Sequence, residues 1–507
     1  MTAPPRPWLA PLLLAAAGLG LHLACGARYG LFRDELYFVA CGQRLAWGYV
    51  DQPPLIALVA RLAWWLSGEG RSLLLFRLPA MLAHAGTVLL AAGLSRQLGG
   101  RSLAMATAAA ATLASAVQLA QGQLLTMNVL EILLWSGVAL ASLQAAAGRP
   151  TRWIGAGALL GLALLAKYSG AFLAAGLLVG LLLTPARRAL AERRLWAGVA
   201  LAALLAAPAL HWQWSHGFPF LELLENGRHG KNAVLSTGQL AVGLTLEQGL
   251  LGLPLGLLGL GALVVAPSLA PARFLGVAWA GVAGLLLALG GKPYYFAPLF
   301  PLLFAAGALV LERSIPAPTP WRWAPAALLL LLGLPAAPMA IPLLPPERLL
   351  AWQERLGVSS PKLEVADTAP ISQHFADQLG WEERVEAVAA AWRTLPAEER
   401  RRAANFTTNY GRAAAIELLG GPLGLPRPLC GHNQYFLWSL PTGQPEVVLA
   451  VGGRAEDHAR TFAEVELVGR TPAVPLGMPY ESEIPLYVLR RPLRPLPEAF
   501  AEARSYR

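Results

Sequence analysis

Long apolar runs set the first constraint on this chain. About eleven stretches between Trp8 and Pro345 approach the roughly 20 residues that a helix needs to cross a hydrocarbon layer. They fall near residues 8–27, 77–96, 102–120, 124–147, 152–166, 169–185, 195–213, 249–268, 273–291, 295–312 and 322–344. A globular core has no use for so many, so the chain reads as an α-helical polytopic membrane protein. Composition agrees, since 55% of the 507 residues are hydrophobic and 14% are charged. "AKYSG", with Lys167 at its centre, interrupts what would otherwise be one helix over 152–185.

Short loops set the expected orientation, because cytoplasmic segments collect Lys and Arg. With the N-terminus inside, Arg6, Arg96, Arg101, Arg149, Arg152, the cluster Arg187, Arg188, Arg193 and Arg194, then Arg273, Arg313 and Arg322 all fall on the cytoplasmic side. An odd number of spans places the C-terminal part outside. The net charge of +10 then reflects topology, and nucleic acid is not an expected partner. The first run is followed by ten more and reads as a retained anchor, not a signal peptide. Three cysteines, Cys25, Cys41 and Cys430, are too few for a disulfide framework and lack metal-ligand spacing.

Composition changes at Pro345 and Pro346. Residues 1–345 read as the transmembrane domain, with a first outer loop at 28–76, and residues 346–507 as a small soluble α/β domain. In the latter, "VVLAV" (447–451), "AEVELVG" (463–469) and "IPLYVLRR" (484–491) have strand character, and "WEERVEAVAAAWRTL" (381–395) is an amphipathic helix.

Charge is concentrated in the first outer loop. "LFRDELYFVA" (31–40) sets Arg33, Asp34 and Glu35 side by side, and Arg44, Asp51 and Gln52 follow. Two helices along the membrane surface are expected there, one over "DELYFVACGQRLA" and one starting after Pro53 and Pro54, with Trp47, Trp64 and Trp65 at interface depth. Asp34 and Asp51 each have a purely structural alternative as helix caps. Further ionisable groups recur at the outer ends of other spans: Glu131, Lys167 and Lys292. Such groups near hydrocarbon are costly and are functional candidates by default, although a single Lys also snorkels. Two carboxylates with several cations suit transfer of a sugar carried on a lipid phosphate. A carboxylate takes the proton of an attacking hydroxyl, and Lys or Arg stabilises the departing phosphate. No Gly-rich phosphate loop points to a nucleotide-sugar donor.

The Asp34-Glu35 pair after the first span, "DQPPL" (51–55), "LLAKYSG" around Lys167 and "YYFAPLFP" (294–301) together resemble the GT-C type integral-membrane glycosyltransferases, in the branch of protein O-mannosyltransferases and bacterial aminoarabinose transferases. The resemblance implies a GT-C fold in the bacterial cytoplasmic membrane and single inverting displacement on the extracytoplasmic side. The donor implied is a polyprenyl-phosphate sugar, and the acceptor a lipid, glycan or protein hydroxyl. It implies Asp34 as base with Glu35 beside it. Donor contacts are then expected among Arg33, Arg44, Asp51, Gln52, Glu131, Lys167, Lys292, Tyr294 and Tyr295. Aminoarabinose transferases usually show Glu-Lys where this chain has Asp51 and Gln52, and Asn128 stands where many relatives place an acid. "TTNYGRAAAIELLG" (407–420) and "GHNQYFLW" (431–438) resemble a bacterial subgroup of the same family. No cofactor or tightly bound metal is expected: His211, His216 and His229 are spaced without need to converge, and Asp34, Glu35 and Asp51 are the one group suited to a divalent ion. The alternative is a transporter or lipid flippase, which would carry charges at mid-membrane and show internal repeats.

Overall fold

The computed structural model describes residues 7–228, 235–316, 319, 321–358, 367–439 and 445–507. Arg6 and His229 lie outside these. Helices occupy all eleven apolar runs, but they are not eleven uniform spans. Among the described residues five helices are long and apolar enough to cross a membrane: Leu73–Gln97, Met127–Ala146, Arg193–Ser215, Pro267–Ala288 and Pro293–Ser314. Three bent pairs raise the number to 8 if each is one span: Ser102–Ala114 with Ala116–Gln123, Gly170–Leu182 with Pro185–Ala191, and Thr237–Gln248 with Gly252–Val265. Leu9–Cys25, Arg152–Ala166 and Ala324–Ala340 are shorter apolar helices. Pro185 and Gly249 (φ 86°) sit at two of the breaks, where proline opens a new turn and glycine takes up a positive φ.

The chain forms two compact units. A helical unit comprises Met1–Ala27, Pro53–His211 and Val234–Leu344; a sheet-containing unit comprises Arg28–Gln52, Trp212–Ala233 and Pro345–Arg507. The first outer loop, expected as one stretch over 28–76, is therefore divided. Its charged first half belongs with the C-terminal residues, and its second half, with the helix Leu55–Leu66, belongs with the spans.

Within the helical unit, glycine lets helices meet at backbone distance. A Cβ on Gly259 would lie 1.9 Å from the Leu303 carbonyl oxygen, and one on Gly307 would lie 2.2 Å from that of Leu255. Helices Gly252–Val265 and Phe300–Ser314 thus cross on two small residues, as membrane helices do where burial alone supplies little attraction. Basic loops meet at one end of this unit. Buried Glu312 accepts from the backbone N–H groups of Arg101 (2.6 Å), Leu103 (3.1 Å) and Ala104 (3.2 Å), capping helix Ser102–Ala114 from a distant helix. Arg322 lies 3.5 Å from the same carboxylate, and Arg313 donates to Ser268 at 2.7 Å. Among the spans, His22 is 2.9 Å from His84 and 3.0 Å from Gln123, so buried polar groups meet one another.

In the sheet unit, β1 (Ala403–Thr407), β2 (Pro428–Cys430), β3 (Val447–Val451), β4 (Phe462–Arg470) and β5 (Pro485–Pro492) form one sheet in the order β2-β1-β3-β5-β4. β2, β1 and β3 are parallel, and β5 runs antiparallel to β3 and β4. The three strand-like stretches are β3, β4 and β5, and the amphipathic segment is the helix Trp381–Thr394. β1 (AANFT) lacks the β-branched run of β3, and β2 has only three residues, so neither stands out in the sequence. Replacing Gly259 by Val should lower the melting midpoint of the purified protein, an overpacking cost of about 1–3 kcal/mol; an unchanged melt would contradict the backbone contact.

Candidate active site

The candidate residues fall into two clusters, one in each unit. In the sheet unit, Arg33–Gln43 is helical, so Arg33, Asp34 and Glu35 form its first turn. Glu35 is the capping residue: its carboxylate accepts from the Phe32 N–H at 2.9 Å and its side chain is buried. Asp34, relieved of that role, accepts through Oδ1 from the Tyr410 hydroxyl at 2.8 Å and from Arg33 Nε at 3.5 Å. Its side chain remains 31% exposed.

Arg33 is held from several sides. Its Nη1 donates to the Tyr480 hydroxyl at 2.7 Å and lies 3.5 Å from the buried Asp377 carboxylate, and its guanidinium stands 5.5 Å over the Tyr410 ring. Burial opposes the Arg33 charge, but Asp377, Tyr410, Tyr480 and Asp34 outweigh it and hold the guanidinium well above its usual range. Burial in turn pushes Asp377 up to about 6 against the pull of Arg33.

Helix Tyr410–Gly420 follows β1 and is capped by Asn409, whose side chain accepts from the Gly411 N–H at 2.7 Å. A Cβ on Gly411 would lie 2.4 Å from Arg33 Cγ, so glycine is what lets this helix reach the first-loop helix. Asp51 does not cap the helix after the prolines, since Pro54 is the N-cap there with no side-chain bond. It accepts instead from the Tyr37 hydroxyl at 2.8 Å and Asn433 Nδ2 at 3.3 Å. Gln434 donates its N–H to Tyr37 at 3.3 Å and accepts from Val50 N–H at 3.0 Å. Arg44 pairs with Glu417 (Nη1 to Oε2, 3.2 Å), lies 4.6 Å over the Trp438 ring, and shares Glu417 with the Tyr435 hydroxyl at 2.8 Å. Gln52 is buried, with Nε2 3.5 Å from Cys41 Sγ.

In the helical unit, helix Arg152–Ala166 ends because Lys167 is extended (φ −158°, ψ 140°), and a new helix starts at Gly170. Asn128 and Glu131, three residues apart on one helical face, both meet the turned-out lysine. Lys167 donates to Asn128 Oδ1 at 2.8 Å and Glu131 Oε2 at 2.9 Å, and lies 5.1 Å over the Tyr295 ring. Ser169 also donates to Glu131. Tyr294 and Tyr295 pack edge to face at 4.5 Å, and Lys292 is buried at the start of their turn. Lys167 is thus one member of a paired polar cluster, not a lone snorkelling lysine. Among the described residues no three His, Cys, Asp or Glu side chains converge in metal-binding geometry; His216 stacks on Trp212 with centroids 4.0 Å apart.

Sequence reasoning missed Tyr37, Asp377, Glu417, Tyr410 and Asn433 as site-forming residues. Glu417, Tyr410 and Asn433 lie in the quoted motifs "TTNYGRAAAIELLG" and "GHNQYFLW", but nothing local couples Tyr410 to Asp34 across 376 residues.

The apolar helices and the five-stranded unit together have the GT-C type fold of integral-membrane glycosyltransferases. ArnT from Cupriavidus metallidurans, solved with undecaprenyl phosphate, superimposes with a TM-score of 0.59 over 94% of this chain and 97% of its own, at 15% identity. The arabinofuranosyltransferase AftD from Mycobacteria matches with a TM-score of 0.51 over 96% of this chain and 40% of its own, at 16% identity. In sequence, residues 51–212 match the dolichyl-phosphate-mannose-protein mannosyltransferase family. The lipid A galacturonosyltransferase RgtD of Rhizobium johnstonii is 31% identical over 189 residues, which span 36% of this chain and 39% of that relative. These relatives are glycosyltransferases, and the chain is an integral membrane protein.

A proton is held more tightly on Asp377 in the fold, at about 6, than at its ordinary 3.8. Its stabilising contribution is therefore present below about pH 4 and is lost as pH rises through about 6. The melting midpoint of the unaltered protein minus that of Asp377→Asn should fall across this window, and a pH-independent difference would contradict the assignment.

Proposed function

We propose that the chain is a membrane glycosyltransferase moving a sugar from a polyprenyl-phosphate donor to a lipid hydroxyl, with Asp34 as general base. The observation that carries the reading is the Asp34 carboxylate: anchored at one oxygen, released from capping by Glu35, and 31% exposed at the start of a helix. The galacturonosyltransferase relative supports a lipid acceptor, and the undecaprenyl phosphate held by the ArnT structure supports a polyprenyl-phosphate donor.

In the proposed reaction the acceptor oxygen forms a bond to the anomeric carbon while the bond from that carbon to the phosphate oxygen breaks. The acceptor proton passes to Asp34, and polyprenyl phosphate leaves with the electron pair. Inversion follows from a single displacement. One carboxylate is enough for this step, so Glu35 acts by holding the turn. Lys167, held as a cation by Asn128, Glu131 and Tyr295, is proposed as a contact of the donor phosphate. Lys292, Tyr294 and Tyr295 are proposed as further donor contacts. Arg33 and Arg44, already engaged by Asp377 and Glu417, are proposed to organise the loop and not to bind phosphate. The proposed orientation keeps the N-terminus in the cytoplasm and the sheet unit outside, and fixed side chains replace a divalent ion in stabilising the leaving group.

The test uses the purified protein in lipid nanodiscs, undecaprenyl phosphate carrying radiolabelled galacturonic acid or aminoarabinose as donor, and lipid A as acceptor. Asp34→Asn should abolish transfer without lowering the yield of folded protein; retained transfer would remove Asp34 as base. Lys167→Met should raise the donor KM about tenfold to a hundredfold, the loss of a charge-assisted contact of about 1.5–3 kcal/mol. An unchanged donor KM would make the cluster structural. Excess chelator should leave the rate unchanged, and a loss reversed by magnesium, manganese or calcium would make the carboxylates metal ligands.

A further inference from the structure

The described contacts of the Asp34 carboxylate are unequal. Both fall on Oδ1: the Tyr410 hydroxyl at 2.8 Å and Arg33 Nε at 3.5 Å. The shorter one comes from the residue that opens helix Tyr410–Gly420, far along the chain from Asp34.

Tyr410 is itself fixed. Its ring is buried, packs 4.7 Å from the Tyr37 ring and 4.9 Å from the His432 ring, and carries the Arg33 guanidinium at 5.5 Å. Two independent constraints place its backbone. β1 delivers the chain to Asn409, and Asn409 closes the first helical turn. Gly411, next in sequence, brings the helix against Arg33 Cγ. Burial and the nearby Asp34 raise the Tyr410 hydroxyl well above its usual range despite Arg33, so it remains a donor at neutral pH.

We infer that Tyr410 is a positioning residue for the proposed base, donating to Asp34 Oδ1 so that Oδ2 is the oxygen presented to the acceptor hydroxyl. The inference rests on the reading of Asp34 as base. A carboxylate that rotates freely offers its proton-accepting lone pair in many directions, whereas one pinned at Oδ1 by a rigid donor offers Oδ2 in one. The rate depends on that preorganisation, because the acceptor oxygen must stand within hydrogen-bond reach of the receiving oxygen as it attacks. Tyr410 gains and loses no proton in the cycle: the acceptor proton goes to Oδ2 and from there to solvent after the sugar has moved.

Tyr410→Phe keeps the ring and removes the one hydroxyl. It should lower kcat about tenfold to a hundredfold, the range for a hydrogen bond to a charged group, with the KM values of donor and acceptor within about threefold. Tyr435→Phe is the control, since that buried tyrosine likewise donates to a carboxylate, Glu417 at 2.8 Å, but does not touch Asp34. It should share any loss of melting temperature and keep its kcat. Equal kcat losses in both variants, or none in Tyr410→Phe while Asp34→Asn is inactive, would overturn the positioning role and leave the base reading intact. Activity in Asp34→Asn would overturn the base reading itself. A measurement free of turnover accompanies these: modification of Asp34 by a water-soluble carbodiimide with glycine ethyl ester, followed by peptide mass spectrometry. Tyr410→Phe should speed labelling at Asp34 and Tyr435→Phe should not; identical rates in all three proteins would overturn the inference.

Discussion

The buried guanidinium of Arg33 is the interaction on which the sheet unit depends. A charge removed from water is tolerated only when it is paired and hydrogen-bonded, and removing one partner from such a pair costs about 3–5 kcal/mol. Here the partners come from three places in the sequence: Asp34 beside it, Asp377 after the long run of spans, and Tyr480 near the end. Meeting the needs of one arginine therefore joins the first loop to the C-terminal residues. The Arg33 backbone N–H also donates to the Asp377 carbonyl at 3.2 Å, so main chain and side chain fix the same register. Arg44 and Asp51 repeat the arrangement further along the loop, with Glu417 and Asn433 as partners.

This arrangement gives the C-terminal domain a role that its position at the end of the chain conceals. Its parallel strands launch the helix that begins at Tyr410, and its "GHNQYFLW" segment supplies Asn433 and Gln434 to the loop. Glycine at 411 and a carboxylate cap at Glu35 are the small local devices that let two helix starts approach closely. The chemistry proposed for Asp34 thus rests on packing supplied by residues several hundred positions away.

Much of this was legible in the sequence, and what was not has physical causes. Runs of apolar residues located most helices of the helical unit, though not Thr237–Gln248, because a period of 3.6 and a length near 20 are local properties. They did not reveal the bends at Pro185 and Gly249, where a second short helix lies beyond the edge of the run and the number of spans becomes a matter of three-dimensional path. The clustering of Arg33, Asp34 and Glu35 was visible in the loop, yet the division of hydrogen-bonding roles among them was not. Asp34 and Glu35 are chemically near-identical, and only the helix start at Arg33 makes Glu35 the residue that reaches back to Phe32. Lys167 and Glu131 were each legible as costly charges at span ends, but their pairing was not, since it depends on an extended residue at 167.

Residues Arg28–Gln52 fold as part of the C-terminal unit, and native-state hydrogen exchange reads this out. Peptides covering Arg33–Gln43, β1 and β3, and Leu9–Cys25 would be followed by mass spectrometry in nanodiscs as urea is raised below the unfolding transition. The account predicts that amides of Arg33–Gln43 open together with those of β1 and β3, with the same urea dependence. Exchange of Arg33–Gln43 that is fast and indifferent to urea, or that follows Leu9–Cys25 instead, would contradict it.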